Sequence, residues 1–170
     1  MITYTKVIYK SLELSHLSYF MLSTFCKQFL RFNRFYSSSN NIGKMVQKYY
    51  VNTKWEEFEE LVKKLEGEKK PINILFSGDK DESGVSWCPY CNKAAPVIEE
   101  ALTTAPEDSI FIKVEIERPY WKDPNNNYRK DSRTKLVFLP TLLRWKSPQR
   151  LDGDQCSNKD LVDMLFEDED

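Results

Sequence analysis

The amino-acid sequence predicts an α/β fold in which helices flank a central mixed β-sheet. Apolar, β-branched segments alternate with amphipathic helical segments, and proline, glycine or serine separates them. Two cysteines, Cys88 and Cys91, stand between a short apolar strand and a helix. With 170 residues and 41% apolar content, the chain is long enough for one domain with a sizeable core and an additional segment.

A change of composition near residue 44 divides the chain into an N-terminal extension, 1–44, and a domain, 45–170. The extension holds six basic residues and a single acid, Glu13, whereas the rest of the chain carries a net charge of −6. Its last part, 37–43, is rich in serine and asparagine, as expected for a linker. We therefore expect a disordered extension and a domain that begins near Met45.

The extension has three interpretations. Its scarcity of acids and its serine and arginine content fit a mitochondrial transit peptide. In the second interpretation Met45 is the working start and the upstream residues are an inert leader. A secretory or anchoring segment over 14–26 is disfavoured, because Lys27 ends the run short of the ~20 apolar residues that a membrane span needs. The domain composition favours a cytoplasmic protein, or a mitochondrial one if the transit peptide operates.

The first half of the domain predicts a βαβ arrangement. Residues 48–51 form a short strand, and Thr53-Lys54-Trp55-Glu56 has the pattern of a capping box. The following helix ends at Gly67 and places its core residues on one face: Trp55, Phe58, Val62 and Leu65. Residues 72–76 then form a buried strand bounded by Pro71 and Gly78.

The second half predicts a kinked helix, a strand, a hairpin and a last helix. Pro96 lies inside the helix that follows the cysteines, where it removes a main-chain hydrogen bond. The next elements are a strand over 109–116, a turn-rich loop over 119–127, a short helix opening at 128–130, and paired strands over 141–145 and 150–151. The last helix is capped near Asn158 and is expected to turn three residues inward: Leu161, Met164 and Leu165.

The stretch Trp87-Cys88-Pro89-Tyr90-Cys91 indicates the chemistry of the chain. A thiolate is the species that attacks disulfides, and a helix N-terminus favours the anion. Pro89 suits the first helical position, because it has no N–H group to leave unpaired and its φ is already helical. A strand, a short loop, Cys-x-x-Cys and a helix are the context of a thioredoxin-like redox site.

The alternatives to a redox site are half of a zinc site and two cysteines that are close in sequence by chance. A structural zinc site needs a second pair of ligands, and the remaining candidates, Cys26, Cys156 and His16, are isolated in the sequence. We therefore expect no bound cofactor and no metal, and we expect Cys156 to be a small buried apolar residue. The acidic domain also argues against nucleic-acid binding, which requires clustered lysine and arginine, and we expect no membrane partner.

Several motifs of the domain resemble one known family. They are Ser-Trp-Cys-Pro-x-Cys at 86–91 with the extended loop 78–85 before it, Pro-Tyr-Trp-Lys-Asp-Pro-Asn-Asn at 119–126, Leu-Pro-Thr-Leu-Leu at 139–143, and the C-terminal segment 161–166. On these motifs, residues 45–170 resemble the thioredoxin fold and, more narrowly, the thioredoxin domain-containing protein 17 family. The resemblance covers nearly the whole domain and none of the extension.

The resemblance implies a disulfide reductase that is recharged by thioredoxin reductase with NADPH. Its substrates would be small disulfides and selected protein disulfides, and peroxide reduction would be a slow side activity. Separately, we expect the protein to be a monomer. By the same resemblance Cys88 is the nucleophile, Cys91 the resolving thiol, and Pro140 a cis-proline that faces the dithiol. Trp87 precedes the nucleophile as the family pattern requires.

Tyr90 departs from the family, which usually carries Asp there, and Cys-Pro-Tyr-Cys is the glutaredoxin sequence. Loss of a carboxylate beside the thiolate is expected to lower the pKa of Cys88. It would also move the reduction potential from about −270 mV toward the glutaredoxin range of about −200 to −230 mV. The strand before the site lacks the buried Asp of thioredoxin, so the group that assists Cys91 is open, with three candidates in the loop: Asp79, Asp81 and Glu82.

Two other function classes compete with the reductase. A glutathione-dependent, glutaredoxin-like enzyme is favoured by Tyr90. It is disfavoured by Trp87 and by the lack of a Gly-Gly turn after 139–141, where glutathione would approach the backbone. The other class is a redox-inactive binding or metal-site protein.

Overall fold

The computed structural model describes residues 46–167 of the chain. The predictions for the extension, including those on Cys26 and His16, lie outside the described residues. The elements in chain order are β1 (Gln47–Val51), α1 (Trp55–Glu66), β2 (Ile72–Gly78), α2 (Pro89–Ala101), β3 (Ile110–Ile116), α3 (Arg118–Lys122), α4 (Asn127–Lys130), β4 (Thr141–Arg144), β5 (Arg150–Asp152), a 3₁₀ turn (Gly153–Ser157) and α5 (Lys159–Phe166).

The strands form one five-stranded mixed sheet in the order β1-β3-β2-β4-β5. β1 and β2 both run parallel to β3, whereas β4 is antiparallel to β2 and to β5. Every residue of β2 is buried, because helices cover both faces of the sheet around this central strand. The predicted α/β fold with a mixed sheet and flanking helices is therefore confirmed.

The two faces of the sheet carry separate cores. On one face Phe58 of α1 packs against Trp55, Phe76, Tyr128 and Trp145, with ring centroids 5.5–5.9 Å apart. On the other face Leu75 packs with apolar residues of α2 and α5. Because β2 contributes side chains to both cores, its C-terminal end is fixed in position, and the loop to the cysteines starts there.

The predicted capping box at Thr53 is wrong. Lys54 occupies the N-cap position of α1 and makes no side-chain capping bond. The Thr53 hydroxyl instead accepts a hydrogen bond from the Glu117 N–H at 2.8 Å and donates to the Glu115 carbonyl at 3.3 Å. These bonds attach the start of α1 to the end of β3, so a tertiary partner replaces the local one.

Two further predictions on local structure are corrected. Part of the predicted loop 119–127 is the helix α3, with Pro119 in its first turn, where the missing N–H is not needed. In α5 the buried face is Val162, Leu165 and Phe166, whereas Met164 is 65% exposed. Leu165 was predicted correctly and Leu161 is partly buried against the same core, but Phe166 takes the inward place predicted for Met164 and packs against Phe111 of β3.

None of the helices within residues 46–167 combines the length and the apolar character needed to cross a bilayer.

Candidate redox site

The two cysteines lie at the N-terminus of α2. Cys88 is the N-cap residue with an extended backbone, and Pro89 occupies the first helical turn, as the sequence predicts. Cys91 lies one turn inside the helix. Both thiols are free, and both residues are buried, with 5% of Cys88 and 3% of Cys91 exposed to solvent.

A hydrogen-bonded loop, 79–87, carries the chain from β2 to the dithiol. The Asp81 carboxylate accepts bonds from the Ser83 N–H at 2.9 Å, from the Ser83 hydroxyl at 2.6 Å and from the Val85 N–H at 3.1 Å. Asn92 of α2 holds the other end of the loop through two 2.9 Å bonds to the backbone of Ser86. The bonds from Ser83 and Val85 lower the pKa of Asp81, and the bond from the Ser83 hydroxyl has the largest effect. Asp81 therefore organises the loop, and none of these bonds involves Cys91.

Gly78 is where β2 meets the dithiol. Its N–H donates to the Cys91 sulfur at 3.3 Å, and its carbonyl accepts from the Ser86 hydroxyl at 2.8 Å. A Cβ atom at this position would lie 2.8 Å from Ser86 Oγ and 2.9 Å from a ring carbon of Trp87. Only glycine fits this close approach of strand and loop.

Trp87 and Tyr90 flank Cys88 in different ways. The Trp87 indole N–H donates to the Ile116 carbonyl at 3.0 Å, which ties the residue before the nucleophile to the end of β3. Tyr90 is 49% exposed, and the Lys93 ammonium lies 5.6 Å from the centre of its ring. Trp87 thus has a structural anchor, whereas Tyr90 presents its ring to solvent beside the thiol.

The two sulfur atoms have opposite electrostatic surroundings. The pKa of Cys88 is lowered to about 7, first by the hydrogen bond with the Cys91 side chain and further by the N–H groups of Cys91 and Tyr90, against the effect of burial. The Cys91 N–H is 3.3 Å from Cys88 Sγ. The pKa of Cys91 is raised, first by the bond it gives to Cys88 and then by burial.

Pro140 faces the dithiol from the neighbouring loop. The Leu139–Pro140 peptide bond is cis, and the Leu139 carbonyl lies 3.5 Å from Cys88 Sγ, where it accepts a bond from the protonated thiol. The fold therefore brings Pro140 together with Cys88, 52 positions away in the sequence.

Exposed apolar side chains flank the cysteines and the cis-proline in the sequence. Six large apolar side chains are exposed in the described part of the chain. Four of them lie within three positions of Cys88 or Pro140: Val85, Tyr90, Val137 and Phe138. Because exposed apolar patches are typical of binding surfaces, these four residues are candidates for contact with a partner.

Cys156 is not one of the two redox thiols, although it contacts the carbonyl of Pro140. It is fully buried in the 3₁₀ turn, with its sulfur 3.3 Å from the Leu151 carbonyl and 3.8 Å from the Pro140 carbonyl, and burial raises its pKa to about 12. It behaves as the small apolar residue that the sequence suggested. Within residues 46–167, no three histidine, cysteine or acidic side chains are grouped to hold a metal.

Sequence reasoning missed three residues around Cys91: Ser77 and Gly78, which act on its pKa, and Lys113, which lines the same small cavity. The proximity of Ser77 opposes the rise in the pKa of Cys91, and so does the Gly78 N–H. No motif marks these residues, because Lys113 is 22 positions from Cys91 and reaches the site through strand pairing.

A dithiol at a helix N-terminus, facing a cis-proline on a mixed sheet, defines a thioredoxin-like domain. The model of the family "Thioredoxin domain-containing protein 17-like, thioredoxin domain" matches residues 51–168. The chain belongs to this family, as its motifs suggested. The match does not fix the start of the domain, and the boundary at Met45 stays a prediction.

Curated relatives agree with the family match. Thioredoxin domain-containing protein 17 of Danio rerio is 48% identical over 111 residues, which cover 64% of this chain and 89% of the relative. The Mus musculus protein of the same name is 46% identical over 113 residues, with 66% and 89% covered. Thioredoxin-like protein Clot of Arabidopsis thaliana is 41% identical over 97 residues, with 55% and 68% covered.

Proposed function

We propose that this chain is a disulfide reductase that works by thiol–disulfide exchange at Cys88 and Cys91. The observation that carries the proposal is the difference between the two thiols. Cys88 has its pKa lowered to about 7 and is thiolate in substantial part at neutral pH, whereas the pKa of Cys91 is raised. A nucleophile and a protonated resolving thiol are the two roles that the exchange requires.

The exchange proceeds in two steps. The Cys88 thiolate attacks one sulfur of the substrate disulfide, whose S–S bond breaks as the other sulfur leaves as a thiolate and takes up a proton. Cys91 then loses its proton and attacks Cys88 Sγ, which releases the second substrate thiol and leaves a Cys88–Cys91 disulfide. Two electrons from NADPH, passed on by thioredoxin reductase, restore the dithiol.

The exposed apolar rim supports a polypeptide substrate in addition to small disulfides. Val85, Tyr90, Val137 and Phe138 would contact side chains next to the target disulfide, and burial of this surface contributes about 25 cal/mol per Å². A disulfide in a segment with apolar neighbours is therefore expected to react faster than one flanked by charges. Phe138→Ser is expected to lower kcat/KM for such a peptide and to leave the rate with a small disulfide unchanged.

Trapping of the mixed disulfide tests the roles of the two cysteines. In a full-length chain that carries Cys26→Ser, to remove the thiol of the extension, Cys91→Ser is expected to accumulate a mixed disulfide with substrate. The matched variant Cys88→Ser is expected to accumulate none. If the adduct instead forms through Cys91 in Cys88→Ser, the assignment of the nucleophile is wrong.

A glutathione-dependent, glutaredoxin-like reductase is the second candidate, and the exposed Tyr90 ring in Cys-Pro-Tyr-Cys favours it. Turnover of a small disulfide separates the two candidates. We expect turnover with NADPH and thioredoxin reductase, and little with glutathione and its reductase. The reverse result would make the chain glutaredoxin-like, and turnover with neither reductant would indicate a redox-inactive binding protein.

Peroxide reduction would be a slow reaction of the same thiolate. The Cys88 thiolate would attack one oxygen of the peroxide, the O–O bond would break, and the other oxygen would leave as hydroxide and take up a proton, which gives a sulfenic acid. Cys91 would then attack Cys88 Sγ and displace water to form the disulfide. Replacement of Cys88 is therefore expected to abolish peroxide consumption and disulfide reduction together. If peroxide consumption persists in Cys88→Ser, that activity lies elsewhere in the chain.

We further propose that the protein acts as a monomer in the cytoplasm, or in mitochondria if the extension directs it there. C-terminally tagged chains that start at Met1 and at Met45 test the location. Mitochondrial import of the longer chain alone would establish a transit peptide. Identical cytoplasmic distributions would establish an inert leader.

A further inference from the structure

The loop that leads into β4, residues 134–140, depends on other segments for its position. It lies between α4 and β4 and contains no helix or strand. Within the described residues, the N–H groups of Val137, Phe138 and Leu139 donate to no main-chain carbonyl. The loop carries the Leu139 carbonyl, 3.5 Å from Cys88 Sγ, and the exposed side chains of Val137 and Phe138. Its conformation therefore affects the immediate surroundings of the nucleophile.

Arg150, the first residue of β5, holds the start of the loop. Its guanidinium donates to the Thr134 carbonyl at 2.6 Å and to the Lys135 carbonyl at 3.3 Å. The third nitrogen, Nε, donates to the Asp152 carboxylate, with the two oxygens at 2.9 and 3.0 Å. A guanidinium can make these bonds together because its donors form a planar fork, whereas a lysine has a single nitrogen. Arg150 thus connects the loop with β5.

Asp152, the last residue of β5, holds the end of the loop. Its carboxylate accepts a bond at 2.6 Å from the hydroxyl of Thr141, the first residue after the loop. Thr141 is fully buried, and burial of a hydroxyl is costly unless it is hydrogen-bonded. The Gly153 N–H, next along the chain, donates to the Pro140 carbonyl at 2.8 Å. The ion pair of Arg150 with Asp152 therefore joins two anchors, one at each end of the loop.

We infer that Arg150 and Asp152 are positioning residues that hold the loop 134–140 beside the dithiol for a polypeptide substrate. This inference rests on the proposed reductase function and adds a determinant of specificity to it. Both residues act through the loop: they fix its two ends, so that Val137 and Phe138 are already in place when a peptide binds. A loop that is ordered beforehand loses less conformational entropy on binding.

A second arginine of the β4–β5 hairpin makes the same kind of bond to a different segment. Arg144 donates to the Leu165 carbonyl at 2.8 Å and to the Glu167 carbonyl at 2.7 Å, at the end of α5. Its loss removes two bonds from a guanidinium to main-chain carbonyls without releasing the loop 134–140. Arg144→Met is therefore the matched control for Arg150→Met.

Limited proteolysis measures how firmly the loop is held, independently of any activity. Trypsin cleaves after Lys135 when the loop opens, because a protease needs a flexible segment. The protein is the full-length chain with Cys26→Ser, and mass spectrometry follows the fragment that ends at Lys135. Arg150→Met and Asp152→Ala are expected to raise the rate of this cleavage about fivefold. Arg144→Met is expected to keep the wild-type rate.

Two reactions of the reduced chain separate loop contacts from thiol reactivity. A peptide disulfide with apolar residues beside its cysteines, labelled so that its fluorescence rises on reduction, gives the rate of attack by Cys88 on a polypeptide. Alkylation by iodoacetamide gives the reactivity of the same thiolate toward a small reagent. Arg150→Met and Asp152→Ala are expected to lower the peptide rate about five- to tenfold. Both are expected to leave the alkylation rate unchanged.

Two further variants show that the effect passes through the bridge and the loop. Arg150→Lys keeps the charge but not the fork, and its peptide rate is expected to stay near that of Arg150→Met. In a Phe138→Ser chain, Asp152→Ala is expected to lower the peptide rate about twofold or less, because the side chain that the loop presents is already gone.

Thermal unfolding shows which variants are folded, and Arg150→Gln and Asp152→Asn replace any that are not. The inference fails if either the cleavage after Lys135 or the peptide rate stays at its wild-type value, or if alkylation slows as much as peptide reduction. It also fails if Arg144→Met has the same effects or if Arg150→Lys restores the wild-type rates. If the wild-type chain reduces no disulfide, the proposed reductase function fails instead, and cleavage after Lys135 alone decides whether the loop is held.

Discussion

The substitution Tyr90→Asp tests how the residue between the cysteines tunes the thiolate. Tyr90 is half exposed, and its backbone N–H is one of the groups that lower the pKa of Cys88. A carboxylate at this position keeps that N–H and adds a negative charge within one helical turn of the sulfur. Because a like charge disfavours the anion, the pKa of Cys88 is expected to rise.

The size of the rise follows from Coulomb's law. A carboxylate at position 90 would lie on the order of 7 Å from Cys88 Sγ, where two unit charges repel by about 0.6 kcal/mol in water and by about 1.2 kcal/mol at an effective dielectric constant of 40. A half-exposed site lies between these limits. At 1.36 kcal/mol per unit, the pKa of Cys88 is expected to rise by about 0.5–1 unit.

The same change moves the reduction potential, and its size depends on pH. The added charge destabilises the thiolate of the reduced form and leaves the neutral disulfide unaffected, so the potential becomes more negative. At pH 7, near the pKa of about 7, only part of the thiol is ionised. The expected change in potential at pH 7 is then about 5–8 mV. It grows to about 15–30 mV at pH 9, which is above the pKa of Cys88 in both the wild type and Tyr90→Asp.

Thiolate absorbance at 240 nm against pH gives the pKa, and equilibration with a reference dithiol pair at pH 7 and pH 9 gives the potential. Tyr90→Asn is the matched control, because it removes the ring without adding a charge. An equal pKa in Tyr90→Asp and Tyr90→Asn would refute the reasoning. The helix terminus and its N–H groups would then set the thiolate chemistry alone.

Three further predictions concern the site and the core. Gly78→Ala is expected to lower the free energy of unfolding by about 1–3 kcal/mol in a urea titration, because the new Cβ would lie 2.8 Å from Ser86 Oγ; an unchanged midpoint would contradict the packing described here. Phe58→Ala is expected to cost about 3–5 kcal/mol in the same titration, because its ring contacts four other aromatic rings; a loss below about 1 kcal/mol would show that the core closes around the gap. Alkylation of Cys88 by iodoacetamide is expected to rise with pH around a midpoint near 7; a midpoint near 9 would show that the fold does not activate this thiol.

Local sequence signals correctly predicted the features whose causes lie within a few residues. Pro89 and the helix that follows it place Cys88 at the N-cap, and Gly67 ends α1 where expected. The apolar run 72–76 forms the central strand because all of its side chains can be buried. Each of these signals depends on backbone preference or on the spacing of apolar residues, which can be read along the chain.

Only the tertiary structure decided which hydrogen-bond partners and neighbours the Thr53 hydroxyl and the Cys91 thiol have. The Thr53 hydroxyl finds its partners 62 and 64 positions away, so the local capping pattern loses to the end of β3. The surroundings of Cys91 likewise come from distant segments: the Gly78 N–H at the end of β2 donates to its sulfur, and Lys113 of β3 lines the same small cavity as Cys91. The sequence therefore determined where the dithiol lies and which cysteine caps the helix. The register of the sheet decided what surrounds the second thiol, because contacts between distant segments leave no periodic trace in the chain.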